Sequence, residues 1–100
     1  MELRTAMGQA VKAFRISRGF AQDEAGRSQS VVSSMERGMR SISITDLDLL
    51  ASSIGVHPLA IIVKGYLLQN QSICTEELIA RIRTDLDDLS QARLDQIPLR

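Results

Sequence analysis

The sequence predicts an all-α fold, and three observations carry that prediction. The apolar residues are aliphatic: 44% of the 100 residues are hydrophobic and only 3% aromatic. That balance suits packed helices better than sheets, which lean on aromatic and β-branched side chains. With 6 glycines and 2 prolines, the chain also has too few turn formers for many short strands. Finally, apolar positions recur at spacings of three and four, and glycines close the periodic runs. A chain of this length makes one domain or less.

Taken in order, Leu3, Met7, Val11 and Phe14 trace one stripe of a first helix, stopped by Gly19 at the C′ position. A short second helix follows in AQDEA, with acids in its first turn, and ends before Gly26. Ser28 is the expected N-cap of a third helix, SQSVVSSMER, whose Val32 and Met35 face inward and which Gly38 closes. Ser43 with Asp46 three residues on resembles a capping box. Behind it Ile44, Leu47, Leu50, Ala51 and Ile54 form the expected buried face of a fourth helix, ended by Gly55. Pro58 suits the first position of a fifth helix, LAIIVKGYLL, which continues through Gly65. Thr75 is the expected cap of a sixth, with Glu76 and Glu77 at its positive end. The expected organisation is a five-helix unit over 1–68, a short joint over 69–74 and a C-terminal helix over 75–97.

Several chemistries are disfavoured. Cys74 is the single cysteine, so an internal disulfide and a cysteine-ligated zinc cluster are both out, which fits a reducing, cytoplasmic setting. The N-terminal segment has no apolar h-region and no run approaches 18 apolar residues, so neither a signal peptide nor a membrane span is expected. His57 has no second ligand near it and reads as a helix-entry residue; Asp87 and Asp88 read as a solvated helix face. Cys74 as a redox sensor is a weaker reading than Cys74 as a plain surface thiol. No cofactor, metal site or enzymatic activity is expected.

Charge is unevenly spread. Residues 1–40 carry Arg4, Lys12, Arg15, Arg18, Arg27, Arg37 and Arg40 against Glu2, Asp23, Glu24 and Glu36, a net of +3. Residues 41–100 carry a net of −3, so the overall neutrality hides a basic first part and an acidic remainder.

Three blocks stand out: GQAVKAFRISRGFAQ from Gly8 to Gln22, SQSVVSSMERG from Ser28, and SISITDLDLLASSIGVHPLAII from Ser41. Together they resemble the lambda-repressor-like (Xre or Cro type) helix-turn-helix family. In order and in register they cover about residues 4 to 63. The resemblance implies a five-helix DNA-binding domain with one departure. The stretch between Gln22 and Ser28 is about four residues short, close to one helical turn, so the second helix is expected to be shortened. Ala21 stands where the family has a capping Ser, and Ala25 or Gly26 replaces its Leu anchor.

The resemblance makes SQSVVSSMER the recognition helix, entering a major groove about 12 Å wide. Its short polar residues are the expected base contacts: Arg27, Ser28, Gln29, Ser30, Ser33 and Ser34. Gln pairs with adenine through two hydrogen bonds and Arg with guanine, whereas serine discriminates little. Val31 could meet a thymine methyl. Such a serine-rich run has low helix propensity, which a purely structural surface helix would avoid. By the same resemblance Gln22, Arg37, Arg40 and Ser41 would contact phosphates, and Arg15 would pair with Glu36 to tie the recognition helix to the first helix.

Outside these blocks, Ile79, Ile82, Leu86 and Leu89 are spaced as an a/d seam over two heptads. Either the seam is a dimer interface or it packs back on its own domain. The leading expectation is a bacterial or phage transcriptional regulator, a repressor or activator, acting as a homodimer on a palindromic stretch of double-stranded DNA. The alternative is the antitoxin of a toxin–antitoxin pair, binding DNA with its first part and a basic toxin with its acidic C-terminal part. A third reading is a protein-interaction module without DNA binding.

Overall fold

The computed structural model describes residues 1–91, and among them the chain is all-helical, as expected. The elements are α1 (Leu3–Ser17), a 3-10 turn (Gln22–Glu24), α2 (Gln29–Glu36), α3 (Ile44–Ile54), α4 (Pro58–Gln69) and α5 (Thr75–Gln91). Positions 92–97 of the expected C-terminal segment lie outside the described residues.

The core is aliphatic. Val11 from α1, Val32 and Met35 from α2, Leu50 and Ile54 from α3, and Ile61 from α4 are at most 2% exposed. Ala6, Ala10, Ala25 and Ala51 fill the narrower gaps between them. Phe14 and Phe20 pack at the edge of this cluster rather than inside it. The glycine within α4 has a packing cause: a Cβ on Gly65 would run into the Met7 thioether, so its absence lets α4 lie close on α1. Gly8 does the same for α1 and α2, since a Cβ there would strike the carbonyl oxygens of Met35 and Glu36. Because those atoms are backbone, they could not swing aside.

Local rules account for the helix ends. The Ser43 hydroxyl accepts the Asp46 N–H at 3.0 Å to cap α3. His57 caps α4, its Nδ1 accepting the Leu59 N–H at 3.0 Å, with Pro58 at the first helical position. After α2, Gly38 adopts φ +72°, and a Cβ there would press on Thr5 of α1, so glycine is needed twice over.

Four expectations are corrected. The second helix is reduced to one 3-10 turn, because the missing residues amount to about one helical turn and Ala21 has no side-chain acceptor to cap it. The carboxylate of Glu24 instead accepts the Ala21 N–H at 2.8 Å. Ser28 holds the N-cap position of α2 but makes no capping hydrogen bond with its side chain. Ile44, expected in the buried face of α3, is 84% exposed because it sits at the first position of the helix, ahead of the turn that meets the core. At α5 the cap is one residue earlier than Thr75. The Leu78 N–H bonds to the Cys74 carbonyl at 3.0 Å, and the Cys74 N–H donates to the Glu77 carboxylate at 3.2 Å. The side-chain hydrogen bond with Cys74 holds the Glu77 carboxyl below its usual pKa.

The C-terminal helix stands apart. None of its residues is buried, and it meets the body mainly through α4. The Cα radius of gyration, 15.8 Å, exceeds the roughly 13 Å of a compact 100-residue domain accordingly.

Candidate nucleic-acid interface

The site begins with the way α2 is held. Its last residue, Glu36, is buried and accepts three hydrogen bonds. Arg15 of α1 gives two, Nε to Oε2 at 2.6 Å and Nη2 to Oε1 at 2.9 Å, and the Gln22 amide gives the third at 3.0 Å. Arg15 also donates to the Phe20 carbonyl at 2.7 Å. The hydrogen bond to Glu36 raises the Arg15 pKa, against a smaller opposing effect of burial. The C-terminal end of α2 is therefore fixed to α1 and to the 3-10 turn by a satisfied, bidentate charge pair.

The N-terminal end of α2 is different. Ser28, Gln29 and Ser30 are exposed, and the Ser28 hydroxyl only approaches that of Ser30, at 3.4 Å. The free N–H groups of the first turn and the positive end of the helix dipole face outward with them. Ser33 and Ser34 are half-buried, and Val31 packs against the core instead of projecting freely. Past α2, Arg37, Arg40 and Ser41 are exposed; the Arg37 Nε donates to the Ser33 carbonyl at 3.3 Å, which leaves its terminal nitrogens outward. This surface offers short hydrogen-bonding groups at a helix N-terminus, flanked by cations. Such an arrangement meets base edges and phosphates.

Two expected contacts have other partners. Gln22 commits one amide N–H to Glu36, and its second N–H remains; of the backbone amides of its turn, that of Glu24 already bonds to the Ala21 carbonyl at 3.0 Å. Arg27 is paired with Asp46 of α3, and both are partly buried, at 32% and 18% side-chain exposure. Asp46 is the residue that sequence reading missed in this role. Its spacing from Ser43 suggested a capping box, yet its carboxylate turns to Arg27, and no short-range pattern links positions 19 residues apart.

A second surface lies on α4 and α5. Leu86 and Leu89 are about 60% exposed, whereas Ile79 and Ile82 are near 40%, partly covered by α4. Leu59 and Tyr66 of α4 add exposed apolar area. Phe14, Leu59, Val63, Leu67 and Ile79 line an apolar groove where α1, α4 and α5 meet. No three His, Cys, Asp or Glu side chains converge as a metal site among the described residues. No single helix there is long and apolar enough to cross a membrane.

A family profile described as helix-turn-helix matches residues 11–61, just over half the chain. No curated protein and no solved structure matches it. The matched span runs from the middle of α1 into α4 and contains the 3-10 turn, α2 and α3.

Proposed function

The chain belongs to the helix-turn-helix family of the lambda-repressor (Xre) type and is a DNA-binding transcriptional regulator, and from that premise we propose that it reads a palindromic operator as a homodimer. The observation that carries this reading is the exposed, uncapped N-terminal end of α2 with Arg37 and Arg40 beyond it. In this reading α2 enters the major groove. Gln29 supplies the discriminating pair of hydrogen bonds, and Ser28, Ser30, Ser33 and Ser34 supply less selective ones. Gln22, through its remaining side-chain N–H, holds one phosphate, while Arg37, Arg40 and Ser41 hold others.

Dimerisation follows from site size, since one helix-turn-helix reads only a few base pairs and a two-fold pair doubles them. The wholly unburied α5, with Leu86 and Leu89 exposed on the seam of Ile79 and Ile82, supports it as the interface.

A second reading, the antitoxin, is favoured by one observation. The same exposed helix carries Glu76, Glu77, Asp85, Asp87 and Asp88 against Arg81 and Arg83, with Asp85 paired to Arg81, and this acidic excess suits a basic protein partner. The two readings differ in the isolated chain: a seam built for self-association gives a dimer in solution without any partner.

The test of DNA as ligand is a salt titration. With about three phosphates per protomer, the slope of log K against log salt for the dimer is expected near −5, at roughly −0.9 per phosphate. Affinity that stays constant between low and moderate salt contradicts DNA binding.

A further inference from the structure

The two ends of α2 are anchored by separate devices, and only one of them belongs to the end that faces DNA. The C-terminal end is held by Arg15 and Gln22 on Glu36. The N-terminal end has no capping side chain, and the preceding 3-10 turn buries none of its residues. Besides Val31 and Val32, which pack on the core, what braces it is the segment Ala25–Gly26–Arg27, laid against α3. Ala25 is fully buried in the core cluster, so it takes the anchoring position that the family resemblance leaves open between Ala25 and Gly26. Gly26 adopts φ +87°, and a Cβ there would crowd the Ser53 hydroxyl and lie 3.0 Å from the Leu49 carbonyl oxygen. Arg27 then closes the contact on Asp46, immediately before the N-cap.

We propose that Asp46, acting through Arg27, is the positioning residue that aims the base-reading end of α2, taking over the bracing that the shortened second helix no longer provides. This rests on the DNA-binding reading above and adds to it a specificity-determining residue that touches no base. Arg27, in this account, is an internal strut rather than a guanine reader. Its charge is met by Asp46 and its side chain is two-thirds covered, so loosening either partner frees Ser28 and Gln29 to tilt. Tilting weakens bonds that need fixed geometry, those to bases, more than it weakens contacts to the uniform backbone.

The experiment compares Asp46→Asn, Arg27→Gln and the double variant with wild type, on cognate and scrambled duplexes at several salt concentrations. Both single variants are expected to lose about tenfold in the ratio of cognate to scrambled affinity, the scale of one charge-assisted hydrogen bond. The double variant should lose no more than either, because the two residues act as one unit. Asp46→Glu should recover most of the ratio.

Two results overturn the proposal. If Arg27 reads a base itself, Arg27→Gln relaxes a single base-pair position while Asp46→Asn, which frees it, leaves cognate binding intact or stronger. If Arg27 is only a latent phosphate contact, Asp46→Asn strengthens both duplexes equally and steepens the salt slope. Amide spectra of the free proteins keep the test independent of DNA. Both single variants should shift the Gln29–Val32 signals while leaving those of Arg15 and Glu36 in place. Unchanged Gln29–Val32 signals overturn the strut, and failure of wild type to bind any duplex overturns only the DNA-binding reading.

Discussion

Glu36→Ala is expected to destabilise the protein by about 3–5 kcal/mol, because it strands the buried Arg15 guanidinium with one remaining partner, the Phe20 carbonyl. A loss of that size approaches the whole stability of a small domain, about 5–15 kcal/mol, so the variant should be largely unfolded by mild warming. Chemical denaturation read by circular dichroism measures it. Arg15→Ala should cost a similar amount by leaving the carboxylate to Gln22 alone. An apolar pair, Arg15→Met with Glu36→Leu, should recover much of the loss, since well-packed hydrophobes replace a buried ion pair at little or no cost. The sign of the pH effect follows from the raised pKa of Arg15. A cation whose pKa is raised on folding contributes fully at every pH below its unfolded value, and the contribution disappears only as alkali titrates it. This guanidinium should therefore produce no change in stability across the neutral range. If Glu36→Ala unfolds within about 1 kcal/mol of wild type, the pair is not what ties α2 to α1.

If the proposed homodimer forms through α5, Ile82→Asp with Leu86→Asp is expected to convert it into a folded monomer. Both side chains are exposed, at 39% and 59%, so charges there leave the domain intact but would place like charges opposite each other across the proposed two-fold seam. Light scattering should report the mass of one chain, and far-ultraviolet circular dichroism should be unchanged. Operator affinity should fall by about 10²–10⁴, the range by which linking two sites exceeds one. A variant that remains dimeric removes α5 as the interface. The apolar groove lined by Leu59, Val63 and Leu67 would then be the next surface to alter.

Much of this architecture was legible because its signals are local. The periodic stripes of α1 and α3, and the Gly19, Gly38 and Gly55 stops, each depend on residues within a few positions of one another, and the all-α class follows from them. The fate of the second helix was less legible. A deletion of about one turn fixes that something is lost, but whether a helix shortens or collapses into a 3-10 turn depends on the capping that Ala21 cannot provide and on the space above α3. Ile44 and Thr75 depart from expectation for a related reason, since periodicity says which face is apolar but not where the first turn begins.

The site divides in the same way. The exposure of Ser28, Gln29 and Ser30 follows from their place at the start of an amphipathic helix whose Val32 and Met35 point inward. The partners of Arg27 and Gln22 did not follow, because both are tertiary. Asp46 lies 19 residues from Arg27 and Glu36 lies 14 from Gln22, and nothing in the composition of either segment announces the pairing.

The central claim is that the N-terminal end of α2 reads sequence while the arginines beyond it only hold the backbone. The most direct measurement is a binding panel of single-base operator variants against wild type, Gln29→Ala and Arg40→Ala at one salt concentration. Gln29→Ala is expected to cost about 1–3 kcal/mol on the cognate site and to relax preference at one base-pair position, with thermal stability nearly unchanged. Arg40→Ala should weaken cognate and scrambled DNA alike. If Gln29→Ala instead weakens every sequence equally, or none, then α2 does not read bases from that end and the account is contradicted.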